Sequence, residues 1–281
     1  MLFGKVIQVV HELIWGSNLV KRSSFFKNKT ALITGGIGAL GLRLMKAFQN
    51  HGANVIIVDI KSTNDAIPYI REYESNKVIY IQSDLSQEVE RIKLFQSIKN
   101  SNDNIDILIN NAAFVGTSSI SGWNEPFMLQ SLESWRRALE LNLTAPFHLA
   151  QLFKDDLSTS GEGSILNIGS IYGVVAPTID LYKGLNMNNP AAYGCSKAGL
   201  IYLTKWLAVN LAPNVRVNAI SPGGLARGQN PIFIERYTSN TPLGRMGEED
   251  DIVGGAMFLA SSDAKWITGQ NLVIDGGWTI K

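Results

Sequence analysis

The sequence predicts a doubly wound α/β domain, a parallel sheet with helices on both faces. Three observations carry that prediction. From Lys29 onward, short apolar runs rich in β-branched residues alternate with amphipathic stretches. Continuous apolar runs of this kind describe strands buried on both faces, as in a parallel sheet. A glycine-rich string, Thr34-Gly-Gly-Ile-Gly-Ala-Leu-Gly41, lies between the first run and the first amphipathic stretch. No internal repeat, low-complexity linker or composition break follows Lys29, so one domain over residues 29–281 is expected.

The elements follow in order. Ala31–Thr34 reads as the first strand and Leu40–His51 as the first helix. Val55–Val58, Val78–Ile81 and Ile105–Asn110 are the next strands, and Ser164–Ile168, Val215–Ile220 and Asn271–Ile274 complete the series. Crossovers between parallel strands require helices, and those helices cover both sides of the sheet.

The first 28 residues stand apart. Their apolar pairs are interrupted by His11, Glu12 and Asn18, and Lys21 and Arg22 follow the apolar stretch instead of preceding it. That order reads poorly as a signal peptide. A helical extension lying on the domain or on a partner subunit is expected, with an interfacial membrane contact as the alternative. No apolar run reaches the roughly 18 residues that a membrane span needs.

Composition narrows the function. A net charge of +1 argues against a nucleic-acid binder that works by bulk electrostatics. Cys195 is the only cysteine, which excludes an intrachain disulfide and fits a reducing compartment, so a cytoplasmic location is expected.

The glycine string sits where a strand hands over to a helix. Backbone N–H groups and the positive helix end there hold a dinucleotide pyrophosphate. Thr34, Gly35, Gly38, Leu40 and Gly41 are the expected loop contacts. Asp59 ends the second strand, 18 residues after Gly41, where an acid bonds the adenosine ribose hydroxyls. A carboxylate there repels a 2′-phosphate, so NAD(H) is favoured; Lys61 nearby keeps NADP(H) possible. Asp59 also reads as a helix N-cap or turn residue.

Tyr193 and Lys197 lie four residues apart in Ala-Ala-Tyr-Gly-Cys-Ser-Lys-Ala-Gly. On a helix that spacing shares one face. A cation beside the phenol lowers its pKa and suits it to general acid/base work on an alcohol or ketone.

Together these segments resemble the short-chain dehydrogenase/reductase family, whose fold is a Rossmann-type doubly wound sheet. The resemblance runs from about residue 29 to 278. It rests on the loop Thr34–Gly41, Asp84-Leu85, Asn110-Asn-Ala-Ala113, Asn142, Ser170 in Asn-Ile-Gly-Ser-Ile-Tyr-Gly, Tyr193 with Lys197, Ser221-Pro-Gly223 and the closing Thr268–Gly277 segment. It implies Tyr193 as general acid/base, with Lys197 lowering its pKa and bonding the nicotinamide ribose. Ser170 would hold the substrate oxygen, and Asn142 would position a water in a proton relay. Asp84 and Leu85 would border the adenine, Asn111 and Ala112 the cofactor ribose region, and Pro222 and Gly223 the nicotinamide. Two positions depart from the family pattern. Ala113 replaces a usual glycine, and Ala39 replaces the middle glycine of the loop, where its methyl group could crowd the pyrophosphate.

Ile171–Ala192 makes a longer gap between Ser170 and Tyr193 than is usual in the family. Its extra segment, Val174–Asn189, is rich in amides and hydroxyls that suit a polyhydroxylated substrate; a packed surface loop or oligomer contact is the alternative. Tyr172, Asn186 and Arg227 are candidate substrate contacts, with Trp123 and Phe127 as further aromatic pocket candidates. The wording of this region resembles a bacterial subgroup tied to flagellin modification and surface-glycan biosynthesis, which implies a sugar or sugar-derived acid as substrate. The expected activity is NAD(P)(H)-dependent interconversion of a secondary alcohol and a ketone. The alternatives are an NADPH-dependent 3-oxoacyl-thioester reductase and a cofactor-binding protein with a vestigial catalytic set. The family also implies a homodimer or homotetramer, built through the helices around Leu132–Leu157 and Ala191–Leu211.

Overall fold

Seven strands form one parallel sheet: Thr30–Thr34 (β1), Asn54–Asp59 (β2), Val78–Gln82 (β3), Ile107–Asn110 (β4), Gly163–Ile168 (β5), Val215–Pro222 (β6) and Asn271–Ile274 (β7). Their order is β3-β2-β1-β4-β5-β6-β7, with every pairing parallel. The structure, a computed structural model, describes residues 25–71, 78–101, 103–115 and 120–281. The expected helical extension falls almost wholly outside the described residues.

The helices in chain order are Ala39–Asn50 (α1), Thr63–Ile70 (α2), Glu88–Asn100 (α3), Leu132–Leu139 (α4), Ala145–Leu152 (α5), Lys154–Thr159 (α6), Ala191–Leu211 (α7), Pro231–Ser239 (α8) and Glu249–Ala260 (α9). Successive strand residues point to opposite faces, and the core divides accordingly. Ala31, Ile33, Val55 and Ile57 pack with Leu44 and Phe48 of α1 and Ile252 and Leu259 of α9. Leu32, Ile56 and Leu108 pack with Leu94 of α3, Leu149 of α5 and Leu207 of α7 on the other face. Each such valine, leucine, isoleucine or phenylalanine, fully buried, stabilises by about 1.5–3 kcal/mol.

The central strands β1, β4 and β5 are buried throughout, whereas the edge strands β3 and β7 are partly open. All seven apolar runs read from the sequence are strands, although β4 begins at Ile107 instead of Ile105. Phe26 lies before the domain boundary expected at Lys29, yet it is buried with its ring 4.6 Å from that of Phe48.

β1 pairs with β2 on one side and β4 on the other, so the strand order reverses there. Open α/β sheets bind ligands in the crevice at the carboxyl ends of strands beside such a reversal. The loops after β1 and β4 meet at that point.

Candidate active site

The loop after β1 makes its turn at Gly35, whose φ of +63° favours glycine. A Cβ on Gly41 would lie 2.2 Å from the Gly35 carbonyl oxygen, so only glycine lets α1 start this close to the loop. Thr34 is buried behind this turn. Its hydroxyl donates to the Ile109 carbonyl and accepts from the Asn111 and Ala112 N–H groups. Asn111 Nδ2 donates to the Thr34 and Gly35 carbonyls at 2.9 and 3.0 Å. The loops after β1 and β4 are therefore fastened to each other before any ligand arrives.

These loops open onto a cavity of about 420 Å³. Gly35, Gly38, Leu40, Asp59, Asp84, Leu85, Asn111, Ala112, Tyr193, Lys197, Pro222 and Gly223 all line it. Asp59 ends β2 and accepts from the Ile37 N–H at 3.0 Å, which ties the acid to the glycine loop. The cavity thus offers a glycine turn at a helix N-terminus and a carboxylate at the end of β2, a donor set that fits a dinucleotide.

Ser170 follows β5, and Tyr193 and Lys197 stand on α7. Ser170 and Tyr193 line the same cavity. Lys197 is buried, and its Nζ donates to the Ile168 carbonyl at 2.6 Å. Burial lowers the Lys197 pKa to about 7. Burial also pushes the Tyr193 phenol up, while the Ser170 hydrogen bond and the Arg227 charge pull it down. The Lys197 Nζ sits 5.9 Å from the Tyr193 ring centroid.

A second cavity, of about 460 Å³, shares Val115, Ser170, Tyr193, Gly223 and Arg227 with the first. Tyr172, Tyr182, Asn186, Asn189 and Gln229 supply polar groups to it, and Phe233 and Met246 supply apolar ones. Arg227 is held by Glu249, Nε to Oε1, at 2.8 Å. Ser170 and Tyr193 stand where the two cavities join.

A family model described as enoyl-(acyl carrier protein) reductase matches residues 36–279. An NAD-dependent glycerol dehydrogenase from Listeria innocua is 31% identical, with 90% of this chain and 95% of the relative covered.

The chain is a short-chain dehydrogenase/reductase.

A short-chain dehydrogenase from Leptospira borgpetersenii, solved with bound NAD+, superposes with a TM-score of 0.80 at 40% identity, covering 90% of this chain and 94% of that one. A gluconate 5-dehydrogenase from Burkholderia cenocepacia, solved with NADP and tartrate, gives a TM-score of 0.81 at 25% identity, covering 93% and 99%. The chain is accordingly an NAD(P)-dependent oxidoreductase, and its named dehydrogenase relatives act on CH–OH groups.

Within this dehydrogenase/reductase, three sequence-predicted residues act from behind the cavity surface. Thr34 and Gly41 shape the glycine loop without lining the cavity. Asn142 is fully buried in a π-helical turn, Glu140–Thr144, between α4 and α5. Its side chain bonds the Phe114 backbone and Ser196 Oγ, which directs it to the loop after β4 and not into the cavity. Ala39 is exposed on the first turn of α1, and the turn closes through Gly38, whose N–H donates to the Gly35 carbonyl at 3.1 Å.

Two aromatic candidates fall elsewhere. Trp123 is buried and donates from Nε1 to the Val115 carbonyl, whereas Phe127 is 78% exposed. The insertion is a packed element. Leu181 is buried with Phe233 and Tyr237, and Arg236 Nη1 donates to the carbonyls of Asp180, Leu181 and Lys183. Its polar groups nevertheless line the second cavity, so packing and pocket formation coexist.

Sequence reasoning missed Tyr237. Its phenol accepts from the Gly224 N–H at 2.6 Å, and its ring stacks on Trp278 at 5.6 Å. It thereby fixes the Gly223–Gly224 turn. A tyrosine on an amphipathic helix far along the chain carries no local signal of that role. Among the described residues, no cluster of His, Cys, Asp or Glu has the geometry of a metal site.

Proposed function

We propose that this enzyme is an NAD(H)-linked dehydrogenase that interconverts a secondary alcohol and a ketone on a polyhydroxylated, sugar-derived acid. The observation that carries the reading is the junction of the two cavities at Ser170 and Tyr193, with Arg227 on the wall of both.

When bound, a nicotinamide supplies the two-electron acceptor or donor for the carbinol carbon. Tyr193 takes the O–H proton of the alcohol, or returns it to the ketone oxygen. Ser170, on the same cavity wall as the phenol, donates to the same substrate oxygen and stabilises charge as it develops. Lys197 holds the base of the site through the Ile168 carbonyl and presents its ammonium to the cofactor ribose side. Asn142 holds the loop after β4, which lines the cofactor cavity, so any part it plays in proton relay runs through that loop.

NAD(H) is favoured by the Asp59 carboxylate, which faces the position of a 2′-phosphate, and by the NAD+ bound in the Leptospira relative. Lys61 keeps NADP(H) possible, as does the NADP bound in the Burkholderia relative. Arg227 matches a substrate carboxylate, and the amides of the insertion match hydroxyls. The name of the gluconate 5-dehydrogenase relative agrees with a sugar acid. The resemblance of the Ser170–Tyr193 region to a subgroup tied to surface-glycan biosynthesis supports a place there. Exposed Leu132, Tyr202, Trp206 and Val209 on α4 and α7 suit burial in a homodimer or homotetramer.

Parallel calorimetric titrations with NADH and NADPH, followed by a panel of aldonic acids and polyols, test this reading. Tight NADH binding and turnover of a sugar acid are expected. An NADPH preference, with turnover of an acetoacetyl thioester, would instead favour the acyl-thioester reductase reading. That alternative has support in the family model's description and in the apolar Phe233 and Met246.

A further inference from the structure

The wall of the substrate cavity carries a hydrogen-bond count that does not close. The phenolic oxygens of Tyr172 and Tyr182 are 2.8 Å apart. Asn189 Nδ2 donates to the Tyr182 oxygen at 3.2 Å. Two phenols bring two hydrogens, and a single bond between them uses one. If Tyr182 donates to Tyr172, the Tyr172 hydrogen has no acceptor among the described residues. If Tyr172 donates to Tyr182, the Tyr182 oxygen accepts twice and its own hydrogen is left over. One donor therefore remains in either arrangement.

That donor belongs to the wall of the cavity that holds the reacting centre. Both tyrosines line the cavity that Ser170 and Tyr193 also line. Their positions are fixed from outside. The Tyr172 ring meets Trp278 edge-on at 6.2 Å, and Tyr182 packs 5.5 Å from Phe233. The carbonyls flanking Tyr182 are gripped by Arg236. Burial and the neighbouring phenol hold Tyr172 protonated well above the ordinary tyrosine range. A polar hydrogen with no partner beside a substrate is satisfied best by an oxygen on that substrate.

We infer that the Tyr172–Tyr182 pair, oriented by Asn189, donates one hydrogen bond to a second oxygen next to the reacting carbinol, so that the enzyme selects vicinal diols over simple secondary alcohols. In the reverse direction it selects α-hydroxy ketones over plain ketones. The inference rests on the oxidoreductase reading above and adds the substrate feature that is read. Neither tyrosine exchanges a proton or electrons with the substrate; both are specificity residues.

The test compares kcat/KM with NAD+ for butane-2,3-diol and butan-2-ol, in the wild type and in a Tyr172→Phe/Tyr182→Phe double variant. The wild type should favour the diol by about tenfold or more, as expected for one hydrogen bond made to the diol alone. Each single Tyr→Phe variant keeps one free phenolic hydrogen and should retain much of that preference. The double variant should lose it, read as the ratio of the two kcat/KM values, while still binding NADH. Equal use of both alcohols by the wild type overturns the inference, and so does an unchanged preference in the double variant. NADH binding with no turnover of the diol overturns it as well, because the proposed donor requires the diol to be accepted. Failure to bind either NADH or NADPH would instead defeat the oxidoreductase reading itself.

Discussion

Asn142 and Phe114 are joined through both ends of one carboxamide. Asn142 Oδ1 accepts from the Phe114 N–H at 2.8 Å, and Nδ2 donates to the Phe114 carbonyl at 3.1 Å. A π-helical turn aims this side chain at the loop, in keeping with the tendency of such turns to occur at functional sites. Phe114 follows Asn111 and Ala112, which hold the glycine loop. Asn142 therefore supports the cofactor cavity from behind.

Replacing it should be felt in stability and cofactor affinity together. Asn142→Ala leaves a buried N–H and a carbonyl without partners, at a cost of about 2 kcal/mol or more. Thermal denaturation should show a lowered Tm, and an NADH titration a raised Kd. Lost turnover with both quantities unchanged would place Asn142 in the chemistry instead.

The glycine loop makes opposite predictions at two neighbouring positions. Gly41→Ala forces a methyl group to within 2.2 Å of the Gly35 carbonyl oxygen, so α1 must shift. A loss of about 1–3 kcal/mol of stability and a large drop in NADH affinity are expected. Ala39 lines the cofactor cavity from the exposed first turn of α1, and Ala39→Gly should leave the NADH Kd within about twofold, with at most about 1 kcal/mol lost from the helix. A marked gain in affinity for Ala39→Gly would show that the methyl crowds the pyrophosphate after all.

Lys197 predicts how stability varies with pH. Its folded pKa is about 7, against 10.5 for the free side chain. Below pH 7 the lysine is charged in both states, and its contribution does not change with pH. Between pH 7 and 10.5 the unfolded chain keeps a proton that the folded one has lost, so stability rises with pH. Relative to Lys197→Met, the unliganded wild type should gain on the order of 1 kcal/mol per pH unit across this window. Urea denaturation of both proteins at pH 7, 8 and 9 measures it. The raised phenol of Tyr193 does not interfere, because an unfolded tyrosine begins to titrate only near 10.0.

Arg227 is the cation whose charge lowers the Tyr193 phenol. Arg227→Gln should move the alkaline rise in alcohol oxidation to higher pH. The shift should be small, because the side chain is 39% exposed and solvent screens it. Ketone reduction, which uses the protonated phenol, should stay flat through neutral pH. A pH profile of kcat/KM in both directions reads the effect.

The sequence made some of these relationships legible and hid others. The strands could be read because each is a continuous apolar run, and the cofactor cavity because its residues follow strand ends at regular intervals. Ser170, Tyr193 and Lys197 come together as their order implied. Roles that depend on orientation could not be read. Whether Thr34 and Asn142 face a cavity or support a neighbouring loop depends on side-chain direction, and both support the loop. Helical spacing placed Lys197 near the phenol, whereas Arg227 joins the same cavity from a loop far along the chain, beyond the reach of local pattern. Tyr237 and Phe233 reach the site across tertiary contacts from α8, which local pattern does not encode.

The central claim is that Tyr193 performs the proton transfer at the junction of the two cavities. The most direct measurement is NAD+-dependent oxidation by wild type and by Tyr193→Phe, on the best sugar-acid substrate, with NADH affinity measured in parallel. The account predicts unchanged NADH binding and a fall in kcat of about 10²–10⁴, the ordinary contribution of a positioned acid/base. Turnover that survives in Tyr193→Phe would contradict it.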